Sequence, residues 1–461
     1  MKKVRIGAAQ GFYGDTLEPA VETAKRGEIQ YLCFDCLAEL TLAILAKDRT
    51  RDPDAGYTKD VPSAMRTLLP LAREKGFKIL TNGGGINPLG AWREVIKVAR
   101  ELELEDLKVA VVTGDDILPR LAELRGKGVS LQDLETGRSF DSLKAPLMFA
   151  NAYLGSWPIV EALRRGADVV ITGRTTDTAQ FLAPLIYEFD WGEEDWDRLA
   201  QGILMGHLME CSGQSTGGNF SGNWWEIDDL DRIGFPVAEV DSDGTFVLTK
   251  TEGTGGLVCV DTVKEQMLYE IHNPAAYVTP DVVVDFTTAT LKDVGLNRVL
   301  VKGATGKPRP DALKAVMGYE DGYMGQVMIG YAWPDAMKKA RAAERIIRNI
   351  MARRGWEYEE IHTSFVGYNS LHGSTVQGDE EELNEVYLRM AVRAKTKADA
   401  AKFRRLFPPL ALNGPPGLGG LTGMETRQLV GMWSTLIPRE LIENSVEIHV
   451  EVVGVDGTGA A

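Results

Sequence analysis

Short apolar runs, each closed by a polar or glycine-rich turn, recur along the first part of this chain, and helical patterns lie between them. No other feature constrains the fold as much, because a repeated strand–turn–helix unit builds a parallel sheet with helices on its faces. The runs fall at residues 4–7, 31–34, 78–81, 108–112, 147–150 and 168–172. Helical patterns lie around 18–26, 37–47, 62–75, 89–102, 117–124, 158–165 and 178–187. The expected class is α/β, with a mostly parallel, Rossmann-like sheet flanked by helices.

Residues 199–210 also read as a helix, and 212–223 as a long polar, glycine-rich loop. Loops of that length in compact domains are commonly functional. Strand-like runs follow at 237–240, 245–248 and 282–286. The last part changes character. Strand patterns at 323–331, 359–366, 386–394 and 446–453 are interrupted by helices at 334–354 and 397–406. That order predicts a ferredoxin-like α+β domain. The expected division is 1–312 for the α/β domain, 313–455 for the ferredoxin-like domain and 456–461 for a disordered tail.

Composition narrows the partners. At 461 residues the chain exceeds one typical core. Its net charge of -15 repels phosphate backbones and anionic lipid, so neither nucleic acid nor membrane is an expected partner. No apolar run reaches the length of a membrane span, and the basic start at residues 1–5 lacks the apolar stretch of a signal peptide. The expected location is the cytoplasm. Homo-oligomerisation is expected too. Four cysteines do not make a disulfide framework in a chain this long. Cys33 and Cys36 form a lone C-x-x-C without a second pair, so no metal ligand set is assigned.

In an open parallel sheet, ligands bind beyond the carboxyl ends of the strands. Those ends carry Gln10, Asp35, Asn82, Asp115, Asn151, Arg174 and Asp177. Gly83 and Gly84 beside Asn82 allow backbone to approach a ligand, and Arg174 offers a fixed charge to a carboxylate or phosphate. Asp35, Asn82 and Asp177 can equally cap the helices that follow them. Asp35 can act as a general base, ligate a divalent metal or hold a ribose hydroxyl. Gly7, Gly11 and Gly14 do not have the dinucleotide spacing, and no cofactor is assigned. Glu210, Gln214 and Asn219 border or lie in the polar loop. Cys211 and His207 lie one helical turn apart, but a bland buried thiol is the expected role of Cys211. Trp224 and Trp225 are expected in core packing.

At these motifs the sequence resembles the acyclic terpene utilisation family (AtuA-like, formerly a domain of unknown function). The segments that carry the resemblance are Gly7-Ala8-Ala9-Gln10-Gly11-Phe12-Tyr13-Gly14-Asp15, Phe34-Asp35-Cys36-Leu37-Ala38-Glu39-Leu40-Thr41 and Thr81-Asn82-Gly83-Gly84-Gly85-Ile86-Asn87-Pro88. Others are Ala150-Asn151-Ala152-Tyr153-Leu154-Gly155, Thr172-Gly173-Arg174-Thr175-Thr176-Asp177, the run from Glu210 to Phe220, and Glu265-Gln266-Met267-Leu268-Tyr269-Glu270. The C-terminal part is similar to the ferredoxin-fold domain that accompanies this family. An aromatic residue is expected in the family where Cys36 stands here, which argues against a redox role for the C-x-x-C.

The resemblance implies catabolism of branched acyl-CoA compounds, of the citronellol, geraniol or leucine-derived kind. The expected function is therefore an enzyme of lyase or hydratase type acting on a small branched acyl-CoA or carboxylate. Its catalytic candidates are Asp35, Asp177, Asn82 and Glu210. Its substrate-binding candidates are Gln10, Gly83, Gly84, Asp115, Asn151, Arg174, Gln214 and Asn219, with Asn82, Asn151 and Gln214 facing an enolate-like oxygen. Two alternatives remain open: a non-catalytic binding or scaffold subunit of an acyl-CoA carboxylase or lyase assembly, and a nicotinamide-dependent oxidoreductase.

Overall fold

The structure is a computed structural model, and it describes residues 2–454. The expected disordered tail at 456–461 lies outside the described residues. Two compact units are present: Met1–Gly318 with Met432–Ala461, and Tyr319–Gly431.

In the first unit the strands are β1 (Lys3–Ala8), β2 (Tyr31–Phe34), β3 (Lys78–Thr81), β4 (Lys108–Thr113), β5 (Leu147–Ala152), β6 (Val169–Thr172), β7 (Pro236–Asp241) and β8 (Phe246–Lys250). Then come β9 (Tyr277–Val278), β10 (Val283–Asp285), β11 (Thr290–Gly295), β12 (Arg298–Lys302) and β13 (Thr305–Lys307). The helices are α1 (Glu18–Arg26), α2 (Glu39–Arg51), α3 (Val61–Lys75), α4 (Pro88–Glu101), α5 (Leu121–Gly126), α6 (Trp157–Arg164), α7 (Ala179–Phe189), α8 (Trp196–Glu210) and α9 (Val260–Leu268). The remaining strands of the chain are β14 (Ala312–Ala332), β15 (Glu360–Val366), β16 (Glu385–Ala394), β17 (Leu418–Pro438) and β18 (Glu447–Val452).

The local causes are ordinary. Strands β2 and β6 are buried at every residue, as parallel strands covered on both faces must be. Helix α3 carries a proline in its first turn and ends at Gly76, whose φ of 78° is left-handed and whose N–H closes onto Ala72. Helix α4 starts at Asn87, whose side chain accepts from the Gly90 N–H at 3.0 Å. Ala20, Leu68, Leu69 and Val95 from α1, α3 and α4 join Leu32, Phe34, Ile79 and Val169 of the strands in one apolar cluster. Each such large side chain, fully buried, stabilises the fold by roughly 1.5–3 kcal/mol.

The large sheet has ten strands in the order β11-β12-β8-β7-β1-β2-β3-β6-β4-β18. The neighbours from β1 to β4 pair in parallel. All pairs outside that core are antiparallel. The expectation of a mostly parallel sheet is thus corrected to a mixed one. Alternating apolar residues mark a strand whichever way its neighbour runs, so strand direction is not written in that pattern. A second correction concerns β5. It leaves the large sheet and pairs with β14, while Asn151 near its end bridges to Asp116, just beyond the carboxyl end of β4. A third correction concerns the run at 446–453, expected in the sheet of the last domain: it is β18 and pairs with β4 of the large sheet, and β17 takes the place expected for it.

The second unit holds α10 (Ala336–Arg353) and α11 (Lys397–Arg404), with strands ordered β15-β16-β14-β17. Its core gathers Ile329, Met337, Ile347, Leu388, Phe403 and Phe407. No helix among the described residues is long and apolar enough to cross a membrane.

Candidate functional site

Strands β1, β2, β3 and β6 are consecutive neighbours in the sheet, so their carboxyl ends open onto one stretch of its edge. Asp35 follows β2. Asn82 follows β3 and bridges the two turns. Its Nδ2 donates to Asp35 Oδ1 at 2.5 Å, and its Oδ1 accepts from the Cys36 N–H at 2.7 Å. Arg174 and Asp177 follow β6. Arg174 Nη1 donates to Asp177 Oδ1 at 2.9 Å and to the Leu37 carbonyl at 2.6 Å. The guanidinium lies 4.1 Å from the centre of the Tyr153 ring, a cation–π contact in a dry setting. The Tyr153 hydroxyl donates to Glu39, which also pairs with Lys314 at 3.1 Å.

Glu210 arrives from elsewhere, as the last residue of α8. Its Oε1 lies 2.7 Å from His207 Nδ1, and His207 Nε2 lies 2.9 Å from the Gln266 carbonyl. A carbonyl only accepts, so Nε2 carries a hydrogen. The proton between Nδ1 and Oε1 is then either on the imidazole or on the acid. Burial lowers His207 to about 4. Burial, followed by the charges of Asp177 and Glu270, pushes Glu210 well above the carboxylate range. The proton therefore belongs to Glu210, which donates to a neutral imidazole.

One oxygen each of Asp35, Asp177 and Glu210 lies within 4.8 Å of the others. Burial, then the charges of Asp177 and Glu210, hold the Asp35 carboxyl well above its usual range, against the Arg174 charge and the Asn82 hydrogen bond. Like charges this close cannot all ionise freely in a buried place.

The cluster floors an open cavity of about 620 Å³. Asp15, Asp35, Asp177, Glu210 and Glu270 line it, together with Phe12, Leu37, Leu230, Ile233 and Phe235, and among the described residues no Lys, Arg or His is in the lining. Gly11 packs where the turn after β1 meets the end of α8. A Cβ there would lie 2.7 Å from the Glu210 carbonyl oxygen, so only glycine fits. Cys211 lines the cavity too, with its thiol pushed up by burial.

Of the sequence-derived candidates, Asp35, Asp177, Glu210, Gln214 and Asn219 line this cavity, and Asn82 stands directly behind Asp35. Gln214 and Asn219 are joined by a hydrogen bond of 3.0 Å. The others are outside the lining. Gln10 is buried and donates to the Asp15 carbonyl at 2.5 Å. Asp115 accepts from the Arg174 N–H at 2.7 Å and from Asn151 Nδ2 at 2.8 Å, which commits both residues inward. The Arg174 side chain is buried beside the site. A Cβ on Gly83 would lie 2.6 Å from Val61 Cγ2, and one on Gly84 2.4 Å from the Thr172 carbonyl oxygen, so these glycines serve packing. Trp224 and Trp225, expected in the core, are 56% and 66% exposed.

Sequence reasoning missed Asp15 and Glu270 as site residues, and it set His207 against Cys211 rather than Glu210. The three-residue step from His207 to Glu210 on one helix face was the available signal.

Fold and site together define an α/β protein with a carboxylate-floored cavity at the ends of adjacent parallel strands. The chain belongs to the acyclic terpene utilisation family of AtuA proteins, whose family model matches residues 4–448. Comparison with curated proteins and with solved structures gives no match. The family's name ties the chain to the use of acyclic terpenes.

Proposed function

We propose that this chain is an enzyme of acyclic terpenoid catabolism that adds or removes water at a branched, unsaturated carboxylate or acyl-CoA thioester. The observation that carries this reading is the meeting of Asp35, Asp177 and Glu210 within 4.8 Å at the floor of an open cavity. The carboxyls of Asp35 and Glu210, raised well above the usual range by burial and neighbouring charges, can hold a proton and release it. In hydration the water oxygen bonds to the β-carbon as the C=C π bond breaks; one water proton stays on the new hydroxyl, the other passes to a carboxylate of the cluster, and a protonated carboxyl of the cluster gives a proton to the α-carbon, so the site ends with as many protons as it began. The acid–base work falls to this cluster. Leu37, Leu230, Ile233 and Phe235 offer a branched apolar chain a wall. On their strand orders, we read the parallel core as Rossmann-like and the second unit as ferredoxin-like.

The test incubates the purified chain with 3-methylbut-2-enoyl-CoA, geranoyl-CoA and the free acids, and follows gain of one water by mass spectrometry. We expect one of them to be hydrated, and Asp35→Asn to slow that reaction by at least about a hundredfold. If none gains water or exchanges an α- or γ-hydrogen with D2O, the enzymatic reading fails and a non-catalytic binding subunit takes its place.

A further inference from the structure

We infer that Asp35, Asp177 and Glu210 form a site for one hard divalent cation, of the magnesium, manganese or calcium kind. The inference rests on the reading of this cluster as the reaction centre and changes how the cluster works.

Geometry comes first. Oxygen ligands bind such cations at about 2.0–2.6 Å, so two of them on opposite sides of one ion are separated by about 4–5 Å. The three carboxylates lie within that spread, at 4.8 Å or less. All three present oxygen, which hard cations prefer. Each is also oriented by a neighbour through one oxygen: Asp35 by Asn82, Asp177 by Arg174 and Glu210 by His207. Such partners are the usual means of aiming a ligand at a metal.

A separate observation points to a ligand. Glu210 is only 6% exposed and lines the cavity, yet its Oε2 has no hydrogen-bond partner. A buried acceptor left unmatched is destabilising. A cation on Oε2 removes that cost.

The chemistry needs one as well. An enolate-like oxygen requires positive charge or donors, and the amide groups expected to supply them are committed. Asn82 Nδ2 serves Asp35, Asn151 Nδ2 serves Asp115, and Gln214 Nε2 serves Gln266 at 2.9 Å. Among the described residues the lining holds no basic side chain, and the nearby Arg174 is spent on Asp177 and the Leu37 carbonyl, so an anionic substrate finds no free positive partner there. A bound dication supplies that positive charge at the floor of the cavity. It gives a carboxylate or thioester oxygen a partner, and water held on it becomes the carrier for the acid–base work.

The experiment uses the full chain, stripped with EDTA and desalted, with Mn2+ as the probe and the free Mn2+ signal read by electron paramagnetic resonance. We expect one Mn2+ per chain. Glu210→Gln and Asp177→Asn should each weaken binding by at least about tenfold, by loss of a ligand, and Asn82→Ala by about 10–100-fold, by loss of an orienting partner. Asp177 is partly exposed, so its variant has the least reason to misfold. No uptake of Mn2+, or equal uptake by wild type and both ligand variants, overturns the site. Hydration that continues unchanged in stripped protein also overturns it and leaves the functional reading standing. Mn2+ uptake at these residues with no turnover of any thioester or acid does the reverse.

Discussion

Replacing Asp115 by Asn should stabilise the chain at neutral pH and do so less and less as the solution is acidified. Asp115 is 1% exposed, and burial raises it from 3.8 to about 6 despite the hydrogen bonds from Arg174 and Asn151. A shift of roughly two units corresponds to about 3 kcal/mol. The sign follows from linkage. Between about pH 4 and 6 the folded chain holds a proton that the unfolded chain has released. Stability from this residue is therefore present at low pH and lost as the pH rises through about 6. An asparagine has no proton to lose, and the unpartnered Asn151 Oδ1 beside it can accept from the new amide. Urea unfolding, followed by tryptophan fluorescence between about pH 4.5 and 7.5, measures both proteins. Asp281, also raised to about 6 by burial, contributes the same slope to each and cancels. We expect the variant to gain about 2 kcal/mol on wild type across that window. Parallel profiles would refute the reasoning, because the buried carboxyl would then titrate alike in both states.

Two further outcomes follow from the same site. In the presence of EDTA, burial holds His207 at about 4, so its ring proton resonances should stay flat between about pH 5.5 and 8, and stability should fall as acid protonates the unfolded imidazole near 6.5; a ring that titrates near 6.5 in the folded chain sinks the proton assignment to Glu210. Arg174→Lys should lose the stack on Tyr153 and one of the bonds to Leu37 and Asp177, lowering stability by about 1–3 kcal/mol in a denaturant melt; an unchanged midpoint removes that role from the arginine.

Asp35, Asn82 and Asp177 were legible because each follows a strand whose apolar run and turn are written in adjacent residues. Once those strands are neighbours, their ends must meet. Glu210 was legible only as the end of a helix, since nothing local says that α8 delivers its last residue to that edge. Asp15 and Glu270 sit in irregular segments whose path no periodicity records. Asp115 and Asn151 misled for a physical reason. A polar residue after a strand can face a ligand or satisfy its own turn, and here the inward option is taken by bonds of 2.7 and 2.8 Å. The strands now named β7, β8 and β18 were visible as runs, but their direction and neighbours depend on long-range pairing. In the last part β14, α10, β15, β16 and α11 could be read locally because strands and helices alternate there, but β17 was not expected, and its place was given to the run at 446–453, which pairs with β4 instead.

The pairing of β18 with β4 bears on how the chain is made. Strand β4 is complete by residue 113, but its outer partner begins only at 447. During synthesis the growing sheet waits through several hundred residues with one border unpaired, and such a border recruits other strands. Truncations that remove 447–452 should therefore show themselves first as aggregation during expression, before any loss at the reaction centre is measured.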